Sequence, residues 1–94
     1  SPTDTVANGL ASCMFTVIGI KARDIDVDFS GSTAEVTKIM GTDPRRITEI
    51  HVTFNFSINP DEKTKAILER TAMTCPVFYS LHPEIKKEIV FNWK

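Results

Sequence analysis

The stretch Glu49-Ile50-His51-Val52-Thr53-Phe54-Asn55-Phe56-Ser57-Ile58 alternates polar and apolar side chains without a break. A period of two over this length predicts a strand with one buried and one wet face, because successive side chains point to opposite sides. A strand wetted on one face belongs to an antiparallel sheet. Upstream of it, Gly41-Thr42-Asp43-Pro44-Arg45-Arg46 reads as a turn, with Arg45 and Arg46 solvated. Before the turn, Ile25, Val27 and Phe29 alternate with Asp26, Asp28 and Ser30. Gly31 marks a bend or bulge, and the extended stretch continues through Met40. The two runs predict a pair of strands.

Downstream, Asn59 is the expected cap of a helix, with Pro60 in its first position and Asp61 and Glu62 in its first turn. Thr64, Ile67, Leu68, Thr71, Ala72 and Cys75 share one face of that helix. Pro76 breaks it or restarts it as a short turn, Pro83 ends the turn, and Ile85, Ile89, Phe91 and Trp93 close the chain as a last strand. At the other end, Ser1 caps a long helix over about Thr3–Arg23, with Pro2 in its first position and Asp4 as the carboxylate of a capping box. Val6, Leu10, Met14, Val17 and Ile18 form one apolar stripe of this helix, and Ala7, Ala11, Phe15 and Ala22 a second, so it should be buried nearly all round. Gly9 and Gly19 cost it about 1 kcal/mol each in propensity, which points to the close approach of another backbone.

The order α-β-β-α-β gives an α+β class, with an antiparallel sheet and helices on one face. At 94 residues the chain is one domain, without repeat or linker, and each fully buried Ile, Val or Phe contributes about 1.5–3 kcal/mol. The long helix carries more apolar surface than one small sheet can cover, so an obligate partner chain is expected. Eleven basic residues against twelve acidic give a net charge of −1, which offers no attraction to nucleic acid or an anionic membrane. The longest charge-free run, Thr5–Ile20, has 16 residues, short of the roughly 18–20 that span a bilayer. A chain that opens on a helix cap with no methionine reads as a piece of something longer.

Two cysteines are too few for a disulfide-stapled secreted scaffold and suit a reducing compartment, the cytoplasm. Cys13 sits mid-helix among Leu10, Met14 and Val17, and Cys75 directly precedes Pro76. Two readings are open. Both thiols are small buried hydrophobes, or they form a redox pair joined across 62 positions by the tertiary fold. Amides at the start of the turn after Pro76 favour a thiolate at Cys75, and by that argument alone Cys75 is the more acidic thiol, whereas apolar burial raises Cys13.

Leu10-Ala11-Ser12-Cys13-Met14 on a long helix resembles the first-cysteine motif of the OsmC/Ohr hydroperoxide reductases, and Thr74-Cys75-Pro76-Val77 their second. Ser1-Pro2-Thr3-Asp4 is similar to the helix start of the OsmC-like branch, and the strand pair and the Asn59-Pro60 helix fall in the family's order. The resemblance implies a thiol peroxidase. Cys13 attacks an organic hydroperoxide and becomes a sulfenic acid, Cys75 resolves it as a disulfide, and a dithiol or thiol protein reduces that bond. It also implies an intertwined homodimer with sites at the subunit interface. The family has strands before this helix, bearing an arginine that activates the first thiol. Residues 1–94 then form a single OsmC-like domain without its N-terminal strands. Ohr-type members orient that arginine with a glutamate, where this chain has Thr3. Asp4 is the neighbouring carboxylate, either supporting the site or only capping the helix.

No cofactor is expected. His51 and His82 form no zinc pattern with the cysteines, and no metal is expected. Phe78, Tyr79 and Trp93 read as core or dimer contacts, with a pocket for an apolar peroxide tail as the other use. No phosphate loop, nucleophilic serine motif or dinucleotide fingerprint occurs. The alternative to the peroxidase is a non-catalytic OsmC-like dimer that senses oxidants, binds an apolar ligand or acts as a scaffold.

Overall fold

The computed structural model describes residues 1–94. Helix α1 spans Pro2–Asp24, strand β1 Thr33–Gly41, strand β2 Arg46–Asn55, helix α2 Glu62–Ala72, the short helix α3 Pro76–Ser80, and strand β3 Lys86–Asn92. The α-β-β-α-β order stands, with α3 as the restart after Pro76. Ser1 caps α1 by accepting from the Asp4 N–H, and Pro2 takes the first turn.

The three strands lie in the order β1-β2-β3. The β1–β2 pair is antiparallel, with Val36 opposite Val52 and Ala34 opposite Phe54. The β2–β3 pair departs from expectation, because it is parallel, with Val52 opposite Ile89 and Phe54 opposite Phe91. Its connection runs through α2 and α3, and such a helical crossover returns the chain in its starting direction. The sheet is therefore mixed. Ile50, Val52 and Phe54 of β2 are fully buried on the helix-covered face, while Glu49, His51 and Thr53 face outward, as the alternation requires. An aromatic row crosses that inner face. The Phe54 ring centroid lies 6.0 Å from that of Phe15 and 5.6 Å from that of Phe91, and Trp93 stacks on Phe56 at 3.9 Å. Trp93 also donates from Nε1 to Glu69 at 2.9 Å, which makes it a core contact.

Three local expectations change. Ile25–Ser30 is a loop, although Ile25, Val27 and Phe29 stay half-buried. Asp26 turns left-handed after the helix (φ 56°), Asp28 accepts from both the N–H and the hydroxyl of Ser30, and Gly31 bends the chain at φ 88°. These local bonds take the place of a strand ladder. Asp61, rather than Asn59, caps α2, accepting from the Thr64 N–H at 2.9 Å. Pro60 holds Asn59 extended, and the next good cap takes over. Gly9 and Gly19 meet no neighbouring backbone: a β-carbon at Gly9 would touch nothing, and at Gly19 only the Phe29 ring.

The long helix is buried along one stripe, Ala7, Leu10, Ala11, Met14, Ile18 and Ala22. It is not covered all round, since Val6 and Ile20 are 40% and 48% exposed. At 23 residues α1 meets the length and composition of a bilayer-crossing helix. Leu10, Met14 and Ile18 nevertheless pack fully buried within their own chain, as in a core helix. A groove of about 470 Å³ runs between α1 and β1, lined by Ala11, Phe15, Ala34 and Val36 with polar Asn8, Ser12 and Thr16.

Candidate thiol site

Cys13 projects from the middle of α1, half-buried, and Cys75 is fully buried between α2 and α3. Both are free thiols. The apolar face of α2 packs on α1, and Met73 and Thr74 carry the chain from α2 to Cys75. Cys75 has extended backbone (φ −64°, ψ 132°) and caps α3, its Sγ accepting from the Phe78 N–H at 3.3 Å. Pro76, which has no N–H to satisfy, occupies the first turn.

This placement makes the two thiols neighbours. Burial pushes the Cys75 thiol above its ordinary range, the adjacent Cys13 thiol adds to the rise, and the Phe78 amide opposes both. The expectation that helix-end amides draw Cys75 toward the thiolate thus fails on direction, because desolvation outweighs the Phe78 and Val77 amides. Chemically, the arrangement pairs a reachable sulfur with a hidden one that keeps its proton. Groups with this contrast suit a nucleophile and a partner that reacts second.

Asp4 lies nine residues before Cys13, roughly 13 Å along the helix axis. Its carboxylate accepts from the Ser1 hydroxyl at 2.9 Å and pairs with Lys38 Nζ at 2.8 Å. The Lys38 hydrogen bond first, and Ser1 second, hold the Asp4 carboxyl below its usual range. Sequence reasoning missed Lys38. Its register on the inner face of β1, in line with Ala34 and Val36, was the available signal, since an inward lysine needs a partner. Lys38 Nζ also donates to Thr3 at 2.7 Å, so one ammonium ties the start of α1 to β1.

That tie has a testable pH signature. The depressed Asp4 carboxyl contributes stability above the unfolded aspartate value of ~3.9, and the contribution is lost as pH falls through the lower folded value. Lys38→Met removes the largest cause, so the Asp4 carboxyl carbon should titrate at higher pH in an NMR series. An unchanged midpoint would show that Lys38 does not hold it.

His51 faces outward from β2 as expected, and His82 accepts from the Glu84 N–H in the loop before β3. Neither the α1–β1 groove nor a second one of about 480 Å³ beside Gly19, Arg23 and Phe29 is lined by Phe78, Tyr79 or Trp93.

Comparison with known proteins bears on this geometry. No curated protein matches the chain. Among solved structures, a protein of Psychrobacter arcticus 273-4 assigned to an osmotic stress induced and detoxification response is 53% identical, with a TM-score of 0.92. The match covers 97% of this chain and 66% of that one, so the chain spans just under two thirds of that relative. An organic hydroperoxide resistance protein OsmC of Legionella pneumophila superposes with a TM-score of 0.79 at 12% identity, over 98% of this chain and 69% of that one. An organic hydroperoxide resistance protein of Elizabethkingia anophelis does so with a TM-score of 0.81 at 13% identity, over 100% and 69%. At such identities the last two likenesses are of fold. The family described as OsmC-like protein matches residues 1–90, and the chain belongs to it.

Proposed function

We propose that this chain is the thiol-bearing part of a peroxidase that reduces organic hydroperoxides. The observation that carries the reading is the pairing of a half-exposed Cys13 with a buried, proton-retaining Cys75 across 62 positions of sequence. In the first step the Cys13 thiolate attacks the distal oxygen of ROOH. An S–O bond forms, the O–O bond breaks, and the alkoxide leaves with a proton as ROH. Sulfur is oxidised to a sulfenic acid and the peroxide is reduced. In the second step the Cys75 sulfur attacks Cys13. The S–S bond forms, the S–O bond breaks, and the departing hydroxide takes the Cys75 proton as water. A dithiol or thiol protein then returns two electrons and two protons by exchange.

Role assignment follows from access and protonation. A peroxide can reach a half-buried sulfur, and a buried thiol held protonated is a poor first nucleophile. Asp4 acts at a distance, fixing the start of α1 through Ser1 and Lys38. Family resemblance assigns the cation that activates Cys13 to strands outside residues 1–94. The chain works as a homodimer, with the exposed Val6 and Ile20 and the α1–β1 groove as surface for further chain to cover. Free thiols with this chemistry suit the cytoplasm.

Treating the reduced protein with one equivalent of an organic hydroperoxide should leave it lighter by two hydrogens, with peptide mapping linking Cys13 to Cys75. Oxidation that stops at a sulfenic or sulfinic acid on Cys13, with Cys75 free, would refute the resolving step.

A further inference from the structure

The outer face of the sheet, opposite the helices and the thiols, carries a second cluster of reactive side chains. His51 of β2 stands directly across from Glu88 of β3 in the parallel register, and Glu49 lies two residues earlier on the same face of β2. His51 Nε2 is 2.8 Å from Glu49 Oε1 and 3.3 Å from Glu88 Oε2. One ligand atom from each of the three residues lies within 4.8 Å of the others. We propose that Glu49, His51 and Glu88 form a binding site for a divalent transition-metal ion, with Zn²⁺ as the best fit.

The spacing suits coordination. Nitrogen and carboxylate donors at about 2.0–2.2 Å from one tetrahedral ion stand about 3.3–3.6 Å apart; Nε2 already stands 3.3 Å from Glu88, and the 2.8 Å contact with Glu49 has to open slightly. The two carboxylates also have to close on one another, by side-chain rotation, because the ladder between β2 and β3 fixes their backbones. Electrostatics points the same way. Two carboxylates converge on a single ring nitrogen, which has at most one N–H to share between them. Lys86, directly opposite Glu49 in register, approaches only Glu88, at 4.0 Å, and is 64% exposed, so its ammonium does not fill the space between the carboxylates. An imidazole with two carboxylates is a borderline donor set, suited to zinc, cobalt, manganese or iron rather than to calcium or magnesium. The solvent side leaves room for water to complete the shell. The sequence hid this site, because Glu88 comes to His51 only through the parallel crossover.

The test must tell this site from the thiols, which also bind zinc. The intact protein is titrated with Co²⁺, a paramagnetic stand-in, while its amide NMR spectrum is recorded. Broadening should centre on the amides around His51 and Glu88 and be reversed by Zn²⁺. His51→Ala and Glu88→Gln, both on the solvent face, should each weaken it about tenfold or more. The same spectra report whether each variant keeps its fold. Broadening centred on Cys13 and Cys75, broadening indifferent to His51→Ala in a folded variant, or none up to roughly 1 mM Co²⁺ would each overturn the proposal.

Discussion

Cys13→Ser should lower hydroperoxide consumption with a dithiol reductant by about 10³-fold or more, as expected when an enzyme loses its nucleophile. A serine hydroxyl is protonated at neutral pH, and the one thiol left among residues 1–94, Cys75, is buried and held protonated. Cys75→Ser separates the two roles. It should still consume about one equivalent of peroxide per chain, leaving Cys13 as a sulfenic acid, and then fail to turn over through an internal disulfide. The assay belongs on the full-length protein, with circular dichroism to show that each variant is folded. Equal rates for wild type and Cys13→Ser would end the peroxidase reading. The OsmC-like fold would stand, and the non-catalytic module would become the better account.

Phe54→Ala should cost about 3–5 kcal/mol, the usual range for removing a buried aromatic ring. Phe54 is 1% exposed and is the largest of the fully buried side chains. Its ring lies within 6.1 Å, centroid to centroid, of Phe15 on the helix side and of Phe56 and Phe91 on the sheet. A domain of this size has a total stability of roughly 5–14 kcal/mol, so the loss is about a fifth of it or more. The thermal midpoint should drop by about 15–30 °C. Tyr79→Ala, at a residue 70% exposed, should change stability by less than about 0.5 kcal/mol in the same melts. If the two variants melt together, the aromatic row does not hold the sheet to α1.

Much of this architecture was legible because it rests on local rules. The alternation from Glu49 to Ile58 placed the buried strand, Ser1 and Pro2 placed the start of α1, and Pro76 placed the restart at α3. The misreadings share a cause. Ile25, Val27 and Phe29 alternate as a strand does, but side-chain periodicity says nothing about whether the backbone finds a ladder partner. Local rules equally gave the wrong direction for Cys75, since the amide of Phe78 is visible in sequence and the burial that outweighs it is not. Lys38 with Asp4 and His51 with Glu88 are pairs separated by 34 and 37 positions, and only the packed chain brings them together. The thiols became a candidate site in the sequence through two motifs rather than through spacing.

The parallel β2–β3 pairing has a consequence for how the molecule is made. Residues 37 positions apart must meet before that ladder exists, whereas β1 and β2 can zip from their short turn at once. During folding, β2 therefore waits with one edge open and its Ile50-Val52-Phe54 face uncovered, a surface prone to self-association. Cys75 travels on the late-arriving crossover. A nascent chain meeting an oxidant at that stage would present an unshielded sulfur before its proper neighbour has arrived, so swift helix docking also guards against mispaired, cross-linked aggregates.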